Sequence, residues 1–170
     1  MFISVNRSPT DRTKGLLHLP QATLRCALGR GGISVNKFEG DGATPRGIWQ
    51  MQEILYRSDR VNRPVSRLKI SPIATDDGWC DAAGDRNYNR KVPLPYRTSA
   101  EHLWRRDHIY DIIVILSHNR RPRIQNRGSA VFMHLARENY TPTAGCIALA
   151  QRDLEKLLCW IKPDQRLVIA

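Results

Sequence analysis

A histidine and a cysteine near the C-terminal end of the chain are the residues best suited to covalent chemistry. His134 follows an apolar run, residues 129–133, whose composition predicts a buried strand. Cys146 follows Gly145 after a loop rich in turn-forming residues. A cysteine attacks carbonyl carbon as a thiolate, and a nearby imidazole can take the proton from its sulfur. The pattern therefore predicts Cys146 as a nucleophile, His134 as its base and Gly145 as the point where the backbone approaches a substrate closely.

The segment after the cysteine has a helical pattern. Its apolar residues recur at three- and four-residue spacing, which predicts a helix over about residues 150–161. Because a helix N-terminus carries partial positive charge, we expect it, together with His134, to lower the pKa of the Cys146 thiol. Each residue taken alone also has a structural interpretation, since a buried cysteine often serves as a small apolar residue and a histidine can be merely hydrogen-bonded.

The residues around the cysteine resemble the L,D-transpeptidases of the YkuD type. That family is marked by a histidine after an apolar strand and by a Ser/Thr-x-Gly-Cys loop, which here is Thr143-Ala144-Gly145-Cys146. Residues 37–49 are similar to its G-x-T-P-x-G segment. The W-C-D and N-Y-N strings and the GC-x-A-L ending resemble a short branch of the family. Many members carry an arginine two residues after the cysteine, where this chain has Ala148.

The resemblance implies a mainly β, sandwich-like fold with a helix after the catalytic cysteine and a few short helices, forming one catalytic domain over residues 1–170. It also implies a cysteine-dependent acyltransferase that acts on peptidoglycan in the periplasm or cell wall and is acylated by carbapenems. Cys146 would form a thioester with a donor stem peptide and transfer it to the diaminopimelate amine of an acceptor stem. Diaminopimelate-diaminopimelate crosslinks and L-alanine-diaminopimelate crosslinks are both open. With water as acceptor, the same residues would give an L,D-carboxypeptidase or endopeptidase.

Several polar residues are candidates for contact with a peptide substrate. Side-chain amides, hydroxyls and a phenol can hydrogen-bond an extended peptide without adding charge. Asn119 is included because it follows the apolar run 111–116, which predicts a strand beside the one that carries His134. The candidates are Thr143, Ser129, Asn119, Asn87, Tyr88 and Asn89.

Composition restricts the remaining function classes. The 170 residues include 27 Lys+Arg and 16 Asp+Glu, a formal net charge of +11, which favours binding to a polyanion. The densest basic segment, residues 117–127, lacks interleaved aromatic residues, so we expect no nucleic-acid partner, although a non-catalytic basic module that binds cell wall or nucleic acid stays an alternative. The four cysteines show no zinc-type spacing, so we expect no metal or cofactor. We see no signal-peptide pattern at the N-terminus and no run long enough to span a membrane.

Overall fold

The computed structural model describes residues 3–170, and these form a mainly β structure. The predicted fold class, with one α-helix after Cys146 and a few short helical turns, is confirmed. The strands are β1 (Ile3–Arg7), β2 (Lys14–Leu19), β3 (Ala22–Ala27), β4 (Ile33–Ser34), β5 (Thr44–Pro45), β6 (Gly47–Tyr56), β7 (Lys69–Pro72), β8 (Asp77–Cys80), β9 (Arg90–Pro93), β10 (Ala100–His102), β11 (Ile112–Leu116), β12 (Phe132–Leu135), β13 (Ile147–Leu149) and β14 (Arg166–Ile169). The helix is α1 (Gln151–Trp160), and 3-10 turns cover His108–Tyr110 and Glu138–Tyr140.

The main sheet closes on itself through strand β6. Its first half pairs with β14, and its second half pairs with β11 on one side and β7 on the other. Hydrogen bonding therefore runs in the order β11-β12-β13-β3-β2-β1-β14-β6 and returns from β6 to β11. Within the described part of this sheet, β7 is then the strand whose outer edge pairs with no other strand.

The interior of the closed sheet is the larger apolar core. Alternate side chains of the ring strands meet there, as the two-residue period of a strand requires. Helix α1 contributes the stripe Leu154, Leu157 and Leu158, all fully buried, to the same core. The helix predicted over residues 150–161 is confirmed, with observed ends one residue inside each predicted end.

A second apolar core lies on the outer face of β6, β11 and β12. Strand β11 is buried along its whole length because its two faces serve the two cores. A lobe built on the three-stranded sheet β10-β8-β9 covers the outer face. The lobe and the segment after it contribute Trp79, Leu103, Ile109 and Tyr110, which pack on Leu55, Ile113, Ile115 and Phe132. This second core positions the lobe beside β12 and the turn that precedes β13.

Two local predictions differ from the structure. Short apolar runs in residues 1–28 predict two edge-type strands or a strand and a turn, but the segment forms β1 to β3 within the sheet; Met1 and Phe2, part of that prediction, lie outside the described residues. Strand β14, from the other end of the chain, pairs with β1, and no local pattern announces such a pairing. Residues 101–110 predict a helical turn or a short helix; they form the end of β10, a loop and one 3-10 turn, so the helical part is limited to His108–Tyr110.

Candidate active site

The register of two parallel strands places His134 and Cys146 on one face of the sheet. His134 pairs with Ala148, so Cys146 lies two residues earlier on the neighbouring strand, about 6–7 Å along it. Residues of the opposite parity on both strands, such as Met133 and Ile147, point into the interior core. The strand predicted over residues 129–133 is observed as β12, three residues later, so that His134 lies within a strand instead of after it.

Backbone groups hold both reactive side chains. The N–H of Phe132 donates to the sulfur of Cys146 (3.4 Å), and the thiol donates to the carbonyl oxygen of Ala130 (3.2 Å). Nδ1 of His134 lies 2.9 Å from the carbonyl oxygen of Leu135. Because a carbonyl can only accept, Nδ1 carries the proton and Nε2 is free to accept another one. The imidazole is thus in the tautomer that a general base requires.

Burial keeps both groups neutral in the resting protein. Only 5% of His134 and 8% of Cys146 is exposed, and burial lowers the pKa of His134 to about 4 and raises the pKa of Cys146 to about 12. The expectation of a lowered thiol pKa is therefore wrong. Strand β13 separates the sulfur from the start of α1 by roughly 15 Å, and the charge of a helix terminus acts only near its first turn.

The turn before the cysteine is built around one hydroxyl. Thr143 donates from Oγ1 to the carbonyl oxygen of Cys146 (2.7 Å) and accepts from the N–H of Gly145 (3.1 Å). The buried Thr143 hydroxyl thus acts within the turn, although the sequence predicts a contact with substrate. The N–H of Gly145 is likewise engaged, whereas the N–H of Cys146 takes no part in the hydrogen bonds that hold this turn.

Residues 37–49 pack against the turn that precedes Cys146. A β-carbon at Gly145, whose φ is +136°, would lie 2.8 Å from the carbonyl oxygen of Ala43, so only glycine fits. One at Gly29 would lie 2.1 Å from the carbonyl oxygen of Gly42. Thr44 fixes this contact by accepting a hydrogen bond at Oγ1 from the N–H of Gly29 (2.9 Å). The segment that carries part of the family resemblance therefore packs against the cysteine turn.

Cys146 and His134 line a cleft of about 520 Å³ between the sheet and the lobe. Gly145, Thr143 and Ser129 also line it, so the structure brings together these five predicted site residues. The sequence analysis missed the charged and phenolic residues of the lining because they come from segments far apart in the chain. They are Arg30, Lys37, Glu39, Asp81, Glu101, Arg105, Tyr110 and Arg137.

One wall of the cleft is acidic. Glu101 accepts a hydrogen bond from the Tyr110 hydroxyl (2.7 Å), and the Tyr110 ring packs edge-on against His134 with centroids 5.2 Å apart. Burial raises the pKa of Glu101, and the carboxylates of Asp81 and Glu39 add to this shift. The wall therefore places three carboxyl groups beside His134 and Cys146, one of them 3.9 Å from Arg105.

The cleft also has a basic side, where two arginines share one carboxylate. Arg105 donates to both oxygens of Asp107 (2.7 and 2.9 Å) and Arg137 donates to one of them (3.1 Å), which holds the pKa of Asp107 at about 2. Arg105 also lies 3.9 Å from Glu101, so two carboxylates face the two guanidinium groups, and Arg137 is half exposed. Ala148, at the position where many relatives carry arginine, is buried on the sheet face that bears Cys146.

Four predicted substrate contacts lie outside the cleft lining. The amide of Asn87 donates to the Tyr96 hydroxyl, and the Tyr88 hydroxyl donates to Glu39. Asn89 is buried and fully hydrogen-bonded. These bonds tie Asn87 and Asn89 to other residues of the protein and connect Tyr88 to Glu39.

Asn119 lies away from His134. Strand β11 is antiparallel to β12, and His134 pairs with Ile113 near the start of β11. The end of β11 and the following Asn119 therefore lie toward the beginning of β12. The Asn119 amide donates to the carbonyl oxygens of Ile124 and Gly128 and so orders its own loop.

Comparisons with known proteins identify the family. The family model of the YkuD L,D-transpeptidase catalytic domain matches residues 11–169. No curated protein matches the chain. The solved structure of Bdellovibrio bacteriovorus Bd1075 is 14% identical, with a TM-score of 0.47; the match covers 99% of this chain and 47% of Bd1075, so the chain spans about half of that protein.

The family acts on peptidoglycan stem peptides and is typically periplasmic or associated with the cell wall. Across residues 3–170 no helix is both long and apolar enough to cross a bilayer. The family match extends over nearly the whole chain and includes the strands and the turn that carry His134 and Cys146. The chain therefore belongs to the YkuD family of cysteine-dependent L,D-transpeptidases.

Proposed function

We propose that this protein is a peptidoglycan L,D-transpeptidase with Cys146 as nucleophile and His134 as general base. One observation carries the proposal: the strand register places the two residues on the same face of the sheet, where both line a cleft of about 520 Å³. The carbonyl of Leu135 orients the imidazole so that Nε2 is available as a base. A buried core cysteine without a function would need neither the oriented histidine nor the cleft.

In the first half-reaction, the sulfur attacks the carbonyl carbon of an L-centre in the donor stem. The thiol proton passes to Nε2 of His134 as the S–C bond forms. The tetrahedral intermediate then collapses, the C–N bond to the following D-residue breaks, and the leaving amine takes the proton from His134. The product is a thioester on Cys146 and a free D-amino acid.

The N–H of Cys146 is the proposed oxyanion donor. The sequence predicts the N–H groups of both Gly145 and Cys146 as oxyanion donors. The turn uses the N–H of Gly145 internally, so the proposal keeps that of Cys146, and Gly145 acts by permitting the turn geometry. A backbone donor aimed at the developing oxyanion is typically worth about 3–4 kcal/mol of transition-state stabilisation.

In the second half-reaction, an amine of the acceptor stem attacks the thioester carbon and the C–S bond breaks. A side-chain amine of diaminopimelate is mostly protonated at neutral pH, so it must lose a proton before it can attack. The acidic wall formed by Glu39, Asp81 and Glu101 attracts the ammonium, and Glu101, with its raised pKa, accepts that proton. His134 takes the second proton and returns it to the Cys146 sulfur.

The basic side of the cleft provides the proposed contact for a stem carboxylate. A guanidinium has five N–H donors, so Arg137 can keep its bond to Asp107 and still bind a second carboxylate. In this proposal, Arg137 replaces the arginine that many relatives carry at the position of Ala148.

The test uses purified sacculi incubated with wild type, Cys146→Ala and Cys159→Ser. Cys159 is exposed on α1, so its replacement controls for the loss of a thiol outside the cleft. We expect wild type and Cys159→Ser to form new crosslinked muropeptides with release of a D-amino acid, and Cys146→Ala to form none. The position of the new bond distinguishes diaminopimelate-diaminopimelate from L-alanine-diaminopimelate crosslinks. Products shortened without new crosslinks would replace this proposal with an L,D-carboxypeptidase or endopeptidase.

Two further measurements address the acceptor side and the non-catalytic alternative. Glu101→Gln should reduce crosslinking more than hydrolysis of the thioester, and Glu155→Gln on the exposed side of α1 should change neither. Mass spectrometry after exposure to a carbapenem should show a covalent adduct on wild type that is absent from Cys146→Ala. Equal binding of wild type and Cys146→Ala to sacculi, with no adduct and no new products, would favour a non-catalytic wall-binding module.

A further inference from the structure

The side chain of Asn89 is a saturated hydrogen-bonding centre inside the lobe. Its Oδ1 accepts from Nε1 of Trp79 (2.9 Å) and from the N–H of Ala130 (3.1 Å). Its Nδ2 donates to the carbonyl oxygens of His118 (3.1 Å) and Asn119 (2.8 Å). Two accepted and two donated bonds use the whole capacity of an amide, and 2% of the residue is exposed. Such a group fixes the positions of its partners.

One of those partners adopts an unusual backbone conformation. Ala130 has a φ of +50°, in the left-handed region that a β-carbon disfavours. The hydrogen bond from its N–H to Asn89 helps to hold the residue there. The conformation interrupts the run that the sequence predicts as a strand from residue 129, and regular β12 begins at Phe132.

The segment 130–132, which Asn89 contacts, also forms the hydrogen bonds to the sulfur of Cys146. The thiol of Cys146 donates to the carbonyl oxygen of Ala130, and the N–H of Phe132 donates to the sulfur. The Phe132 ring packs edge-on against Trp79, with centroids 5.0 Å apart. Both backbone groups that contact the sulfur therefore belong to residues 130–132, and Asn89 and Trp79, bonded to each other, fix this segment.

We propose that Asn89 is a positioning residue for Cys146 that acts through the backbone of Ala130. The inference rests on the proposed function in taking Cys146 as the nucleophile. It assigns to the N-Y-N string a role in orienting the sulfur, whereas the sequence predicts a contact between Asn89 and substrate. The carbonyl of Ala130 sets the direction of the S–H bond, and hence the line along which the sulfur meets a carbonyl carbon.

The test compares Asn89→Gly with the parent in a Cys159→Ser background, which removes the exposed thiol. Glycine adopts the φ of +55° found at residue 89 without strain, so the substitution removes only the side-chain bonds. We expect kcat for acyl transfer to fall about 10- to 100-fold, with KM within about twofold, because the substrate-binding walls are unchanged.

A second measurement follows the reactivity of the Cys146 sulfur in the absence of peptidoglycan. The rate of Cys146 alkylation by iodoacetamide is followed against pH by peptide mass spectrometry. Loss of the Ala130 acceptor should lower the thiol pKa, the midpoint of this profile, by roughly half a unit to one unit, which is seen below the plateau as a rate about 3- to 10-fold higher at each pH. The titratable and charged groups that face the sulfur, Glu101, Tyr110, His134 and Lys37, are the same in both proteins. Cys26, 1% exposed in β3, must stay unmodified as evidence that the fold is intact.

Two more variants separate positioning from stability. Tyr96→Phe removes the hydrogen bonds of Tyr96 to Asn87 and Asp85 in the same lobe, and Tyr96 has no bond to Ala130, so kcat and the alkylation midpoint should stay at the parent values. Asn89→Asp keeps an acceptor for Ala130 but loses both donors, so it should be less stable yet retain most of kcat.

Unchanged kcat and midpoint in Asn89→Gly, with Cys26 protected, would overturn the proposal. A tenfold or greater loss of kcat in Asn89→Asp would also overturn the proposal. This second test remains available if Asn89→Gly does not fold. A wild type that forms no crosslinks while Asn89→Gly still shifts the midpoint would refute the proposed function and leave the positioning role supported.

Discussion

Replacing His134 with glutamine should abolish acyl transfer while leaving the pH dependence of Cys146 alkylation nearly unchanged. This expectation follows from the resting state of the pair. Burial lowers the pKa of His134 to about 4 and raises the pKa of Cys146 to about 12, so the imidazole carries no charge that could stabilise a thiolate at neutral pH. Glutamine has a similar reach and does not titrate.

The magnitude follows from the thiol pKa. A thiol with a pKa of about 12 has about one thiolate in 10⁵ molecules at pH 7, whereas an ordinary cysteine, with a pKa of about 8.5, has about 3%. Cys146 should therefore react with iodoacetamide about 10³-fold more slowly than a free thiol of equal accessibility. Its rate should rise tenfold per pH unit from pH 7 to 10 without a plateau, in wild type and in His134→Gln. Acyl transfer should fall about 10²- to 10⁴-fold in the variant, the usual contribution of a general base.

The assay is peptide mass spectrometry of alkylated protein between pH 5 and pH 10, in a Cys159→Ser background. His18→Gln, in β2 on another part of the sheet, is the control variant and should behave as wild type in both measurements. A wild-type plateau with a midpoint below about pH 8 that moves upward in His134→Gln would refute the reasoning. Such a result would mean that a thiolate-imidazolium pair exists before substrate binds.

Three other outcomes are expected. The pKa of His134 in the folded state lies below its ordinary value, so the unfolded chain binds the extra proton as pH falls from about 6.5 to about 4. The free energy of unfolding, measured by urea titration, should therefore drop by about 3 kcal/mol over this window. The drop should be smaller in His134→Gln. Gly145→Ala should lose about 1–3 kcal/mol of stability in the same measurement, and most of its activity, because the new β-carbon meets the carbonyl of Ala43; unchanged activity would contradict the close contact. Arg137→Ala should raise KM about tenfold with little change in kcat, whereas Arg152→Ala on exposed α1 should leave both unchanged.

The sequence was most informative where the physical signal is local. The stripe Leu154, Leu157 and Leu158 predicts α1 to within one residue at each end, because a helix is specified by contacts three and four residues apart. The apolar run 111–116 likewise predicts β11, since a strand buried on both faces needs apolar residues throughout. The sequence predicts that Gly145 lets the backbone approach a substrate closely; the close approach observed is to the backbone of Ala43, and the approach to a substrate stays a prediction.

Features set by distant parts of the chain were less predictable. The acidic wall combines Glu39, Asp81 and Glu101, which no periodicity connects. The raised thiol pKa depends on burial beneath the lobe and on the intervening β13, neither of which is visible in the spacing of residues 134 and 146. The left-handed conformation of Ala130 could not be expected from an alanine in an apolar run, because its stabilising partner, Asn89, is 41 residues away.

The position of β13 in the ring determines at which stage of folding the Cys146 thiol becomes buried. β13 pairs with β12 on one side and with β3 on the other, and β3 comes from the opposite end of the chain. Contacts between segments so far apart form late, because a long loop must close before they can contribute free energy. A nascent or unfolded chain therefore carries an ordinary cysteine at position 146, and acyl-transfer competence arises only after both ends of the polypeptide have joined the sheet. Reactivity is thereby coupled to completion of folding.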